Sequence, residues 1–81
     1  MTWHTYILYS LQRDCYYIGS TGDDLEERLR RHNTHHKGFT GNVNDWTYYH
    51  VESFATKAAA LSREREIKSK KSRKYIESLK R

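Results

Sequence analysis

Three short runs of β-branched and aromatic residues occur along the chain. They cover residues 5–9, 15–19 and 46–54, and they favour strands because such side chains pack well on a pleated surface. The mostly polar connection at residues 11–14 is short enough to join the first two runs as a hairpin. We therefore predict three strands, of which the first two are adjacent and antiparallel.

A helix is predicted after the second strand. Leu25 and Leu29 are four positions apart, so they share one helical face. Asp23, with Glu26 three residues later, has the spacing of a capping box that opens a helix. We expect this helix to run to about Asn33.

Two further helices are predicted in the last third of the chain. Residues 57–68 contain strong helix formers throughout, and residues 70–79 are expected to form a separate short helix because residues 69–72 weaken the middle. A polar loop at residues 35–45 precedes the third strand. The order β-β-α-β-α-α indicates an α+β domain, a small three-stranded antiparallel sheet flanked by helices, with residues 1–81 forming a single domain.

Charge is distributed unevenly along the chain. Residues 57–81 hold ten Lys or Arg against three Glu, or +7, whereas residues 1–56 hold five Lys or Arg against seven Asp or Glu, or −2. A basic segment on a mildly acidic body suggests a polyanionic partner such as nucleic acid. The alternative is a solvated helix face that only aids solubility.

The cellular setting and the metal chemistry are both narrowed by residues that are scarce. Cys15 is the single cysteine, so no internal disulfide is expected and a reducing compartment is indicated. No apolar stretch approaches the roughly 18 residues of a membrane span, and the N-terminal apolar run is too short for a signal peptide. We expect a cytoplasmic protein without a membrane partner. Cys15 with His32, His35 and His36 matches no common zinc spacing, so zinc is not expected.

Charged residues occur on helix faces that should be apolar. Arg28 and His32 lie beside the leucine stripe of the first predicted helix, and Glu64 falls within the apolar stripe of the next. Burying either charge alone costs several kcal/mol, so each needs a partner. One interpretation is a structural Arg28–Glu64 salt bridge. The other is an arginine for phosphate and a carboxylate for a metal, both facing a cleft.

One ordered set of residues carries a family resemblance. It comprises Tyr6 in the first strand, Tyr17-Ile18-Gly19 in the second, a helix with Arg28 and then His32-Asn33, and Glu64 on a later helix. This order resembles the GIY-YIG nuclease superfamily. It is especially similar to short stand-alone bacterial members related to the N-terminal domain of the nuclease component of excinuclease ABC. The resemblance extends from Tyr6 to Leu79 and implies the GIY-YIG fold.

The chain departs from the family pattern in two places. His4-Thr5-Tyr6 stands where Gly-Ile-Tyr is expected, so only the tyrosine of the first half is kept. The interval from Tyr17 to Arg28 is eleven residues, one more than the commonest family spacing. An insertion in the preceding turn is easily absorbed. If it instead shifted the helix phase, Arg31 would take the role of Arg28, although the leucine stripe favours Arg28.

The resemblance implies five catalytic residues and one metal. Glu64 would hold a single, largely water-ligated Mg²⁺ or Mn²⁺, and Arg28 would contact the scissile phosphate. Tyr6 is the expected general base for water, and Tyr17 would position the water or contact the phosphate. His32 would hydrogen-bond a tyrosine or the DNA, and a role as catalytic base is the weaker option.

Further basic residues are expected to contact DNA phosphates in a sequence-independent, salt-sensitive manner. These nucleic-acid-binding candidates are His35, Lys37, Lys68, Lys70, Lys71, Arg73 and Lys74. The predicted function is a metal-dependent DNA endonuclease, structure-selective in repair or recombination, with RNA as an open alternative substrate. A homodimer or a larger repair partner would add affinity. The competing hypotheses are a non-catalytic nucleic-acid-binding module and a structural domain with an Arg28–Glu64 salt bridge.

Overall fold

The predicted order of elements is confirmed by the computed structural model, which describes residues 2–34, 41 and 43–79. The described chain forms one sheet and three helices in the order β-β-α-β-α-α, an α+β fold. The elements are β1 (Trp3–Ser10), β2 (Cys15–Thr21), α1 (Leu25–Asn33), β3 (Thr47–Phe54), α2 (Lys57–Lys70) and α3 (Arg73–Leu79). None of the helices in these ranges is long and apolar enough to cross a membrane.

The sheet places β1 in its centre. Its strand order is β2-β1-β3, and both pairings are antiparallel. Tyr6 lies opposite Gly19 of β2 and Val51 of β3. Because β1 is hydrogen-bonded on both sides, it extends further at each end than the apolar run in the sequence indicated.

The two faces of the sheet carry separate cores. Tyr6 and Leu8 are buried on one face together with Trp46, and Leu29 of α1 packs against them. On the other face, buried Ile7 contacts the apolar side chains of α2 and α3. Successive residues of a strand point to opposite faces, so β1 supplies both cores. Helix α1 therefore covers one face, and α2 and α3 cover the other.

The capping box was predicted one residue too early. Asp24, not Asp23, caps α1, because its side chain accepts a hydrogen bond from Glu27 N at 3.0 Å. Asp23 N instead donates to the Thr21 hydroxyl at 3.0 Å. The spacing of an acidic cap and a glutamate three residues later is the same in both registers, so sequence alone did not distinguish them.

Helix α2 runs two residues further than predicted. It is capped by Thr56, whose hydroxyl accepts from Ala59 N at 3.1 Å. It ends where Lys71 adopts a left-handed conformation with φ of 47° and its N–H bonds Lys68 O at 3.2 Å. The predicted break between the last two helices is therefore confirmed, and it lies at Lys71–Ser72.

Candidate active site

Tyr6 lies across the neighbouring strand because Gly19 has no side chain. A Cβ atom at Gly19 would lie 2.7 Å from the Tyr6 hydroxyl oxygen and 3.1 Å from the ring of Tyr17. Such approaches are closer than packed atoms tolerate. The glycine of the Tyr-Ile-Gly tripeptide therefore lets the Tyr6 phenol cross β2, and it brings the two tyrosines together on one face of the sheet.

The Tyr6 hydroxyl joins the strand to helix α1. Arg28 Nε donates to it at 3.3 Å, and His32 Nε2 lies 2.8 Å from it. Since the phenol oxygen accepts from the guanidinium, the phenol proton is available to the imidazole whenever Nε2 is unprotonated. His32 is only 7% exposed. One turn of α1 thus places a cation and a proton acceptor on the same phenol.

The environment of Tyr6 opposes its ionisation in the free protein. Its side chain is 0% exposed, and burial raises the pKa of Tyr6 above its ordinary value of about 10. The hydrogen bond and positive charge of Arg28 lower this pKa in part, whereas Tyr17 and Glu64 raise it. The net shift is upward. The effect of Glu64 also shows that its carboxylate lies within electrostatic range of the phenol.

Tyr17 is the more accessible of the two tyrosines. It is half-buried, and its ring lies 5.1 Å from the ring of His32, centroid to centroid. Tyr6 makes an edge contact with the same imidazole at 5.8 Å. His32 therefore lies against both tyrosines, and Tyr17 forms the side of this cluster that faces solvent.

Glu64 approaches the cluster from α2, and its partner is not Arg28. Its carboxylate is 17% exposed and accepts from Lys68 Nζ at 2.6 Å. Within residues 2–34, 41 and 43–79 no Arg28–Glu64 ion pair forms, because Arg28 instead donates to Tyr6. The structural interpretation that relied on an Arg28–Glu64 salt bridge is therefore wrong.

A metal at this site would have one protein carboxylate. In the part of the chain that the structure describes, no group of three or more His, Cys, Asp or Glu could enclose an ion. Mg²⁺ is nevertheless commonly held by one or two carboxylates, with water and substrate phosphate as the other ligands. The Lys68 ammonium on Glu64 shows that this carboxylate accepts a cation. The donor set fits a hydrated hard divalent ion completed by a phosphate.

This arrangement agrees with a comparison to protein families. The family model of the GIY-YIG catalytic domain matches residues 2–76, nearly the whole chain. The chain belongs to the GIY-YIG family. No curated protein and no solved structure shows significant similarity to it. Membership of the GIY-YIG nuclease superfamily and its fold are thus confirmed, and the domain is of a nuclease type.

The longer spacing of this GIY-YIG domain does not displace Arg28. The extra residue is absorbed in the turn before α1, and Arg28 still reaches the Tyr6 hydroxyl. Arg31, the alternative, points elsewhere and lies 3.6 Å from Asp23 and 3.5 Å from Glu27. Arg28 is therefore the arginine that shares the site with the tyrosines.

The predicted DNA-binding residues fall into three groups. His35 and Lys37 lie outside the described residues. Lys68 is paired with Glu64, and the Lys70 ammonium lies 5.4 Å from the centre of the Tyr75 ring. Lys71 and Lys74 are exposed, as a phosphate contact requires.

Arg73 has its hydrogen-bonding capacity largely committed within the protein. Its guanidinium donates to the Asp14 carboxylate at 2.6 Å, to Asp14 O at 3.0 Å and to Glu77 at 3.0 Å. It also lies 5.2 Å from the centre of the Tyr16 ring. These contacts fasten α3 to the β1–β2 hairpin, so a structural role accounts for Arg73 better than the predicted DNA contact.

Two residues that support the site were not singled out from the sequence. Asn33 holds the backbone of Trp46, accepting from Trp46 N at 2.8 Å and donating to Trp46 O at 3.1 Å. Tyr48 donates to Leu25 O at 2.6 Å and packs edge-on against Tyr6. Both contacts join residues that are distant in sequence. The Asn that follows the family histidine was the only signal that could have indicated the first.

Proposed function

We propose that this GIY-YIG domain is a metal-dependent endonuclease that hydrolyses DNA phosphodiester bonds, with a structure-selective role in repair or recombination. The observation that carries the proposal is the Tyr6 hydroxyl, bound by Arg28 and His32 with the Glu64 carboxylate within electrostatic range. A buried phenol with a cation, a proton acceptor and a nearby carboxylate is more than strand packing requires. These groups match the requirements of phosphodiester hydrolysis.

Arg28 is the proposed phosphate ligand. Its guanidinium uses Nε on Tyr6, which leaves the terminal nitrogens for an anion. A phosphate that draws the guanidinium outward would also uncover the phenol oxygen. Binding of the substrate phosphate and access of water to Tyr6 are coupled in this mechanism.

Tyr6 and His32 together form the proposed proton acceptor. Because burial raises the pKa of Tyr6, the free phenolate is disfavoured at neutral pH. We infer that the phenol oxygen takes a proton from water while the phenol proton passes to His32 Nε2, 2.8 Å away. No free phenolate is required in this step. Tyr17 would orient the water from the solvent side of the cluster.

Glu64 is the proposed metal ligand. A divalent ion held there would supply positive charge to the scissile phosphate and to the departing oxygen. Lys68 would leave the carboxylate when such an ion binds. Glu64 itself would keep the ion near the phenol and the arginine.

The decisive experiment compares cleavage by the wild type, Glu64→Gln and Glu66→Gln. Labelled single-stranded, duplex, flap and branched DNA are incubated with Mg²⁺, Mn²⁺ or EDTA. Glu66 is the matched control, since it is also a glutamate of α2 in an ion pair, with Arg63 at 2.9 Å. We expect metal-dependent cutting by the wild type and by Glu66→Gln, and none by Glu64→Gln.

The melting temperature separates catalysis from folding. Glu64→Gln removes one ion pair whose lysine is half exposed, and such pairs contribute only about 0.2–1 kcal/mol. Its melting temperature should therefore remain close to that of the wild type. Absence of cutting on every substrate, with salt-sensitive DNA binding retained, would refute the nuclease and favour the non-catalytic binding module.

A further inference from the structure

A groove beside the proposed catalytic cluster has no role in the mechanism above. It has a volume of about 350 Å³ and opens between the start of α1 and the start of α2. The end of β2 forms its floor, with Ser20 and Thr21. Its remaining lining consists of an indole, a leucine and three charged residues: Trp3, Leu61, Asp23, Arg28 and Lys57.

Trp3 is fixed in this groove by a glycine. A Cβ atom at Gly22 would lie 2.9 Å from two ring atoms of Trp3, so the indole rests directly on the backbone of the turn. The Lys57 ammonium lies 5.6 Å from the centre of the same ring. The indole is half-buried rather than part of either core. It is therefore a fixed aromatic surface with a flexible cationic side chain beside it.

The groove is continuous with the catalytic cluster. Arg28 lines its inner end and reaches the Tyr6 hydroxyl from there. On α2, Lys57, Leu61 and Glu64 are spaced i, i+4 and i+7, so they share one face. Lys57 is about 10 Å along the helix axis from Glu64 at 1.5 Å per residue. A strand whose phosphate lies at Arg28 and Glu64 would pass through this groove.

The charges of the groove favour an anionic ligand. Arg28 and Lys57 are cations, and the only carboxylate among its lining residues, Asp23, lies 3.6 Å from Arg31. An aromatic surface between two cations matches a nucleotide, because bases stack on indoles and phosphates bind lysine and arginine. A groove of about 350 Å³ is at the small end of ligand pockets. It has room for one nucleotide but not for a base pair.

We propose that this groove binds the single unpaired nucleotide next to the scissile phosphate. The base contacts Trp3 and displaces the Lys57 ammonium, which then binds the flanking phosphate together with Arg28. This proposal rests on the proposed nuclease function and specifies its substrate class. A strand with an unpaired nucleotide beside the cut, as in a flap or a single strand, is preferred over an intact duplex.

Binding is tested without cleavage, on the full chain in EDTA. The probes are a labelled duplex with one unpaired nucleotide at a strand end and the same duplex with that nucleotide paired. Trp3 also serves as a reporter, because the second tryptophan, Trp46, is 1% exposed and shielded from ligands. We expect the unpaired probe to quench tryptophan fluorescence and to bind more tightly than the paired probe.

Substitutions of Trp3 test whether the ring causes this preference. Stacking of one base corresponds to roughly tenfold in affinity, so Trp3→Leu should reduce the ratio of the two affinities about tenfold, and Trp3→Phe should retain most of it. Phe54→Leu is the matched control, since Phe54 pairs with Trp3 across the strands but does not line the groove. An unchanged ratio in Trp3→Leu would overturn the proposal.

A second variant keeps the test valid if Trp3→Leu fails to fold. Lys57→Met should reduce the same ratio, whereas Lys70→Met, which removes a lysine from above Tyr75, should weaken both probes equally. Cleavage is then assayed separately. A lost preference in Trp3→Leu without any wild-type cleavage would refute the nuclease but support the groove. Cleavage with equal use of both probes would do the reverse.

Discussion

Replacing Lys68 by methionine should strengthen metal binding at Glu64. The ammonium lies 2.6 Å from the Glu64 carboxylate, so a divalent ion must compete with it for the same oxygens. Methionine keeps the length and the helix propensity of the side chain but removes the charge. The variant therefore deletes the competitor and leaves the proposed ligand in place.

The size of the effect follows from the exposure of the pair. Lys68 is 52% exposed and Glu64 is 17% exposed, so solvent screens the lysine far more than the carboxylate. Exposed pairs contribute about 0.2–1 kcal/mol, and the shielded carboxylate places this one near the upper end. Loss of about 1 kcal/mol of competition corresponds to roughly fivefold tighter metal binding.

The assay titrates Mn²⁺ into each protein and measures free Mn²⁺ by electron paramagnetic resonance. Lys70→Met is the control, since it removes the same charge from the same helix at a lysine that lies over Tyr75. We expect about fivefold tighter binding for Lys68→Met and a clearly smaller change for Lys70→Met. Equal affinities in the two variants would show that general charge, not competition at Glu64, determines the effect. Unchanged affinity in Lys68→Met would contradict Glu64 as the ligand.

Two further predictions concern α3 and the tyrosines. Arg73→Met should lower the melting temperature, because it removes the contacts to Asp14 that fasten α3, while the salt dependence of DNA binding stays that of the wild type; a flatter salt dependence at unchanged melting temperature would restore the predicted DNA contact. Burial, aided by a hydrogen bond to Glu77, raises the pKa of Tyr16 to about 12, and burial raises the pKa of Tyr48 to about 12. Their protonated forms therefore stabilise the fold fully below pH 10, this contribution is lost between about pH 10 and 12, and an absorbance titration in which all seven tyrosines ionise together near pH 10 would contradict it.

The fold was predictable because its signals are local. Hydrophobic alternation and aromatic composition indicated each strand, and the Leu25/Leu29 spacing indicated α1. The errors arose where local signals are equivalent. Asp23 and Asp24 each have a glutamate three residues later, and the choice between them depends on the hydrogen bond from Asp23 N to Thr21.

The site was only partly predictable, because its contacts join distant residues. The tyrosines, Arg28 and Glu64 were found through the family resemblance, but the Glu64–Lys68 pair replaced the expected Arg28–Glu64 alternative. The role of Arg73 depends on Asp14, 59 positions away. No helical or strand periodicity encodes such a contact. A basic run therefore indicated affinity for anions correctly as a class, but not which of its members are available.

Because Tyr6 belongs to the buried core and to the proposed reaction centre at once, the domain divides into a fixed interior and an adjustable rim. The phenol cannot be repositioned without disturbing Leu8 and Trp46, which pack around it. Change in substrate preference is tolerated only where side chains reach solvent, at Trp3 and Lys57. A small sheet can thus acquire new specificities from its border while its central strand keeps the chemistry constant.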